Sequence, residues 1–278
     1  FGWGMGYAGG IVLLLICYFG FVAGEGGMFG LPTEGGLNIR LVAVFAAVWF
    51  AVFAVPVLVR VPEIRPSGAA DTEGVLDAYR RLLRTIRDLW HTDRNALYFL
   101  VSSAVFRDGL AGVFTFGAIL AVTVYGLTPG DVLLFGVAAN VAAAAGAMLG
   151  GFLDDILGPK PIIIASLVLM IASAGVLYFV EGPQMFWIFG LILCLFVGPA
   201  QSAARSFLSR VAPDGREGQL FGLYVTTGRA VSWLSPLAFG MFVLLGGTDR
   251  FGILGIGLVL LVGALLLIPV VDPTRRGR

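Results

Sequence analysis

Charge, histidine and cysteine are all scarce in this chain. Only 13% of its residues are Asp, Glu, Lys or Arg, about half the share of a soluble domain, and 58% are hydrophobic. So few charges cannot cover a water-exposed surface, which excludes an ordinary soluble fold. The single histidine, His91, rules out a His-based metal site or a Ser/His/Asp triad. Cys17 and Cys194 both fall in apolar runs and show neither a disulfide framework nor metal-ligand spacing. No phosphate-cradling motif is present, so nucleotide drive is not expected, and neither is any cofactor. The net charge of +1 lacks the concentrated basic excess that nucleic acid demands, so that class of partner is set aside.

Apolar length is what the chain has in abundance, with a mean hydropathy of +0.95. A membrane helix needs about 20 mainly apolar residues. Eight stretches meet that template: 4–24, 39–60, 96–126, 131–153, 161–181, 184–208, 218–246 and 251–271. Transmembrane strands are half as long and alternate, so the expected fold is all-α and polytopic, with the lipid bilayer as its first partner. The 40 glycines are scattered through these runs, where small residues let helix backbones approach.

Lys and Arg gather on cytoplasmic loops. If 61–94 is inside, one face collects Arg60, Arg65, Arg80, Arg81, Arg84, Arg87, Arg94, Lys160, Arg210, Arg216 and the basic end of the chain. The other face holds only Arg40 and Arg250, which predicts both termini to be cytoplasmic. The first apolar run lacks the basic n-region of a secretory signal. A chain that begins at Phe1 rather than Met is expected to be a fragment or a processed product.

The one long polar stretch combines a breaker-rich linker, RPSGAAD, with an amphipathic segment. Val75, Leu76, Tyr79, Leu82, Leu83, Ile86, Leu89 and Trp90 recur at helical spacing, with the arginines largely off that stripe. This segment is expected to lie on the inner membrane surface against anionic headgroups, a partner-helix role being the alternative.

Three arginines fall inside apolar spans, Arg107, Arg205 and Arg229, against one acid, Asp108. An arginine costs about 3 kcal/mol or more in mid-membrane, so a polar cavity is expected around them. Gln201, Ser202, Arg205 and Ser209 share one helical stripe, and Thr226, Arg229 and Ser232 share another. Asp108 is expected to face Arg205 or Arg229 across the bundle and is the candidate for proton coupling; a permanent ion pair that orders the helices is the alternative. The surplus of positive charge calls for an anionic counterpart, either a substrate carboxylate or an acid elsewhere in the protein. Snorkelling of Arg205 to the interface is the competing account. Asn140 is a further candidate for a solute hydrogen bond or a helix contact. Between the sixth and seventh spans, Pro213, Asp214, Gly215 and Glu217 read as a capped turn. Arg210, Arg216 and Glu217 could there form the charge pairs of an inner gate.

Between the fourth and fifth spans, GFLDDILGPK sets Gly151, Asp155 and Gly158 at offsets of zero, four and seven. On the inner side of a polytopic chain this resembles the loop motif of the major facilitator superfamily, G-x-x-x-D-(R/K)-x-G-(R/K)-(R/K). Ile156 replaces the usual base and Pro159 one of the trailing ones. Further strings narrow the resemblance. Q-S-x-x-R-S from Gln201 to Ser206, P-x-G-R-E from Pro213 to Glu217, F-G-x-Y from Phe221 to Tyr224, Gly228–Arg229 and S-W-L-x-P from Ser232 to Pro236 are similar to the vacuolar-effluxer-like branch. GYAGG at 6–10 and FRDG at 106–109 are too.

The resemblance implies a twelve-helix transporter of which this chain supplies helices five to twelve. Residues 1–60 would be the last two helices of the N-terminal bundle, 61–94 a cytoplasmic linker, and 95–278 the complete C-terminal bundle. The absent N-terminal helices then become a partner. The implied activity is secondary transport of a small polar solute by alternating access, with an amino acid as candidate solute, since fungal relatives export amino acids from the vacuole. Protons are the candidate coupling ion and a bacterial plasma membrane the expected location. Pro199 and Pro236 are candidate bending points for such a cycle. An enzyme is not expected, because the lone intramembrane acid leaves no nucleophile and base in one cavity. A receptor or assembly subunit that keeps a transporter fold without flux is the alternative.

Overall fold

The structure, a computed structural model, describes residues 2–24, 26–32, 34–62, 75–212 and 217–272. The regular elements among them are all helical. In chain order they are α1 (Gly2–Cys17), which continues as a wider π turn (Tyr18–Val22), α2 (Leu37–Arg60), α3 (Val75–Thr92), α4 (Arg94–Thr123) and α5 (Pro129–Leu157). Then follow α6 (Pro159–Phe179), α7 (Pro183–Val211), α8 (Glu217–Ala230), α9 (Leu234–Gly246) and α10 (Gly252–Leu267). Eight segments among the described residues are long and apolar enough to cross a membrane, and they coincide with the eight expected from the sequence. The linker at 65–71 and the turn residues Pro213, Asp214, Gly215 and Arg216 lie outside the described residues.

The chain divides into two compact units, Ala8–Arg84 and a larger one made of Phe1–Tyr7 with Thr85–Arg278. In the smaller unit an aromatic ladder runs from Phe21 through Phe45 and Trp49 to Phe53 along α2. Such ring pairs add to the area they bury.

The larger unit is built on small-residue contacts. At the α5–α7 crossing, a Cβ on Gly146 would overlap the carbonyl oxygen of Leu195, and one on Gly198 would overlap that of Ala143. Pro199 lies in the same seam, its ring against Gly146 and Gly150, so this proline packs an interface. In lipid there is no hydrophobic drive between helices, and close backbone approach of this kind supplies the attraction. Helix α4 packs along α10, where the Ser102 hydroxyl donates to the Gly263 carbonyl at 2.9 Å.

Helix ends are fixed by specific chemistry. Thr128 and Asp131 close a reciprocal capping box at the start of α5, with Pro129 as the first helical residue. Gly158, with φ of 85°, both ends α5 and starts α6, a conformation that a side chain would strain. Lys160 donates to the carbonyls of Ile268 and Val270 at 2.7 and 2.6 Å, satisfying acceptors that follow α10.

The seventh span departs from the expectation of one helix over 218–246. It is broken at Val231–Trp233 into α8 and α9. The Ser232 hydroxyl donates to the Arg229 carbonyl and the Trp233 indole to that of Ala230, so acceptors freed by the break find side-chain donors.

Candidate functional site

The break lies beside the charged pair Arg107–Asp108. Arg107 is thirteen residues into α4, about 20 Å from its start at 1.5 Å per residue. That depth is near the middle of a hydrocarbon layer about 30 Å thick.

The two neighbours diverge, as the turn of about 100° per residue requires. Asp108 is buried, 7% exposed, and one carboxylate oxygen accepts the backbone N–H of Ser235 at 2.6 Å. It therefore caps the N-terminus of α9, the second half of the broken span, where the helix dipole favours negative charge. This corrects the expectation that Asp108 faces Arg205 or Arg229. The physical reason is that the break exposes backbone N–H groups that a continuous helix would have satisfied. Pro236, next in line, has no N–H, which leaves fewer donors to cap. The approach is close: an alanine at Gly112 would place its Cβ 2.9 Å from that of Ser235.

Arg107 turns the other way, onto α8. Its guanidinium lies 3.8 Å from the centre of the Tyr224 ring and donates to the Tyr224 carbonyl at 2.9 Å. Gly228 makes room, since a Cβ there would stand 3.1 to 3.3 Å from guanidinium atoms. Tyr224 is buried, and its side chain also receives a hydrogen bond from Arg205 of α7. The charges of both Arg205 and Arg229 bear on Arg107, and Arg107 and Arg205 meet at Tyr224. Among the described residues Arg107 is held by a carbonyl and an aromatic face, with no carboxylate partner. Among the described residues no carboxylate offsets its positive charge, in a site where such charge is costly.

The remaining candidates are more dispersed. Thr226 donates to the Gly222 carbonyl of its own helix, and Thr226, Arg229 and Ser232 are exposed on α8 and the turn after it. Gln201 and Ser202 are half-buried on α7. Asn140 donates to Gly136 one turn back on α5, so that donor stays within its own helix.

At the end of α5 the buried aspartate is Asp154. It sits 3.4 Å from the Arg210 guanidinium of α7 and accepts from Ser206, while its Oδ1 has no hydrogen-bond partner. Asp155, the residue the motif spacing selects, is exposed, as Glu217 is at the start of α8. Gly151 is half-buried and Gly158 forms the turn. Arg216 lies outside the described residues.

Sequence reasoning gave Tyr224 no role beyond its place in the F-G-x-Y string. A signal was available: Tyr224 and Gly228 are four residues apart, so ring and gap share one face of α8.

The sequence profile described as "Vacuole effluxer Atg22 like" matches residues 1–278. The chain belongs to that family. Among Atg22-like relatives, "Autophagy-related protein 22-1" of Neosartorya fischeri is 26% identical, over 91% of this chain and 43% of that protein. The "Uncharacterized MFS-type transporter YxiO" of Bacillus subtilis is 21% identical, over 98% of this chain and 63% of its own length. The chain thus spans less than two thirds of each. Among solved structures, the Escherichia coli fucose:proton symporter FucP superposes with a TM-score of 0.61 at 14% identity, covering 83% of this chain and 55% of FucP. The fold is that of the major facilitator superfamily. The family description names an effluxer and the structural neighbour is a symporter; neither is an enzyme.

Proposed function

We propose that this chain is part of a secondary transporter that moves a small polar solute by alternating access, the solute carrying an anionic group that settles on the arginine cluster. An amino acid carboxylate fits that description, because an arginine fork binds it with two parallel hydrogen bonds. One observation carries the reading: Arg107 lies at mid-membrane depth, held by neutral groups, with the charges of Arg205 and Arg229 bearing on it. The description of the Atg22-like family as effluxers supports it.

In this reading residues 1–60 are the last helices of an N-terminal bundle, 61–94 a cytoplasmic linker, and 95–278 the C-terminal bundle. Both termini face the cytoplasm, which the distribution of Lys and Arg supports. The family description names a vacuole effluxer, so the expectation of a bacterial plasma membrane gains no support from it. Asp108 serves as the proton-coupling residue and acts through the helix it caps. Protonation removes the charge from the Asp108–Ser235 contact and weakens the hold of α4 on α9 at the break. Arg210 with Asp154 forms a cytoplasmic ion pair that opens with the inner gate.

The test is counterflow in liposomes, using protein expressed from its complete gene and a labelled amino acid panel. Exchange of label supports the transporter. Saturable binding with no flux would replace it by the receptor reading.

A further inference from the structure

The corner between α3 and α4 has chemistry that solute transport does not use. Helix α3 ends at Thr92, and Asp93 at once caps α4 by accepting the N–H of Ala96 at 3.1 Å. Because α4 is a membrane span, the last turns of α3 must lie at the membrane surface. Across this corner the Arg94 guanidinium stands 5.3 Å from the centre of the Trp90 ring, and its Nε donates to the Trp90 carbonyl at 3.1 Å. The rings of Trp90 and Tyr98 are 6.4 Å apart and remain 44% and 48% exposed. Arg87, three residues before Trp90 and on the same side of α3, is exposed as well. Among the described residues neither Arg87 nor Arg94 takes part in an ion pair.

Half-exposed Trp and Tyr at the mouth of a span belong at headgroup depth, where one end of each ring is apolar and the other wet. Two arginines without carboxylate partners beside them supply positive charge at the depth of lipid phosphates. We propose that this corner binds the headgroup of an anionic phospholipid from the adjoining leaflet, with Arg87 and Arg94 on the phosphate and Trp90 and Tyr98 against the glycerol and upper acyl chain. A peptide partner could meet the arginines but would leave the rings facing acyl chains with no role. The lipid satisfies both.

The probe is brominated phosphatidylglycerol, compared with brominated phosphatidylcholine, in nanodiscs holding the whole protein. Quenching specific to Trp90 is read as the difference between the protein and W90F. The expected result is half-maximal quenching at a lower mole fraction of the anionic lipid. In R87Q/R94Q that midpoint should rise about fivefold for each arginine removed. R87K/R94K should keep most of the preference, and R94Q alone, expected to shift about fivefold, serves if the double variant does not assemble. Equal midpoints for the two lipids, or an unchanged midpoint in the Gln variants, would overturn the proposal. Displacement by inorganic phosphate would also overturn it, by assigning the site to a soluble anion.

Discussion

At the scale of single residues, the contact that decides most is Asp108 to Ser235. A buried acid would ordinarily be sought opposite an arginine, yet here it holds the start of a half-helix. Two substitutions separate geometry from charge. D108A removes the cap and should destabilise the protein by about 1 kcal/mol, within the range for lost N-caps, seen as a lower unfolding midpoint. D108N keeps an acceptor for the Ser235 N–H and should lower the midpoint less, while an imposed pH gradient no longer drives accumulation. Coupling that survives in D108N would remove Asp108 from that role. Tyr125 offers a second residue-level test, two residues past Thr123, where the third span ends in the structure. Its hydroxyl donates to the Leu177 carbonyl at 2.5 Å, and burial pushes its pKa up to about 12. The folded state therefore keeps a proton that the unfolded chain releases from about pH 10. The resulting stability is present below that pH and is lost as the pH rises towards 12. Unfolding followed across this window should show a falling midpoint, with a shallower fall in Y125F, which also starts lower for want of a buried hydrogen bond.

At the scale of elements, glycine and alanine seams set how close the helices come. Replacing Gly146 with Leu would drive a side chain into the Leu195 backbone and the ring of Pro199, where no flexible neighbour yields. The expected loss is about 3 kcal/mol, read as a lower melting temperature and a broadened size-exclusion peak. The same substitution at Gly136, where a Cβ meets open space, should be tolerated. The eight spans were legible in the sequence because apolar length is what a bilayer selects. The break inside the seventh was not, since apolar residues continue on both sides of Val231–Trp233 and hydropathy cannot see a lost backbone bond. Only Ser232 and Pro236 hinted at it. The choice between Asp154 and Asp155 was equally hidden. Consecutive residues differ by about 100° around the helix, and the position of α7 decides which carboxylate meets Arg210. That Arg107, Arg205 and Arg229 lie inside apolar spans was legible from the sequence. The tyrosine that Arg107 and Arg205 share emerges only once α4, α7 and α8 are packed.

At the scale of the whole molecule, a major facilitator fold carries two arginines at one buried tyrosine in the larger unit, with the charge of a third bearing on one of them. Such charge is stable only with an anion, with water, or with an acid elsewhere in the protein. The central claim is that the solute supplies the anion. The most direct measurement is competition for counterflow in proteoliposomes, setting amino acids against their methyl esters in the wild type and in R107Q. Free carboxylates should compete and esters should not. R107Q should lose at least about tenfold in apparent affinity, the equivalent of one charge-assisted hydrogen bond. G228V, which crowds the Arg107 guanidinium without removing its charge, should fall in the same direction. Esters that compete as well as the acids, or an R107Q protein that exchanges solute as the wild type does, would contradict the account.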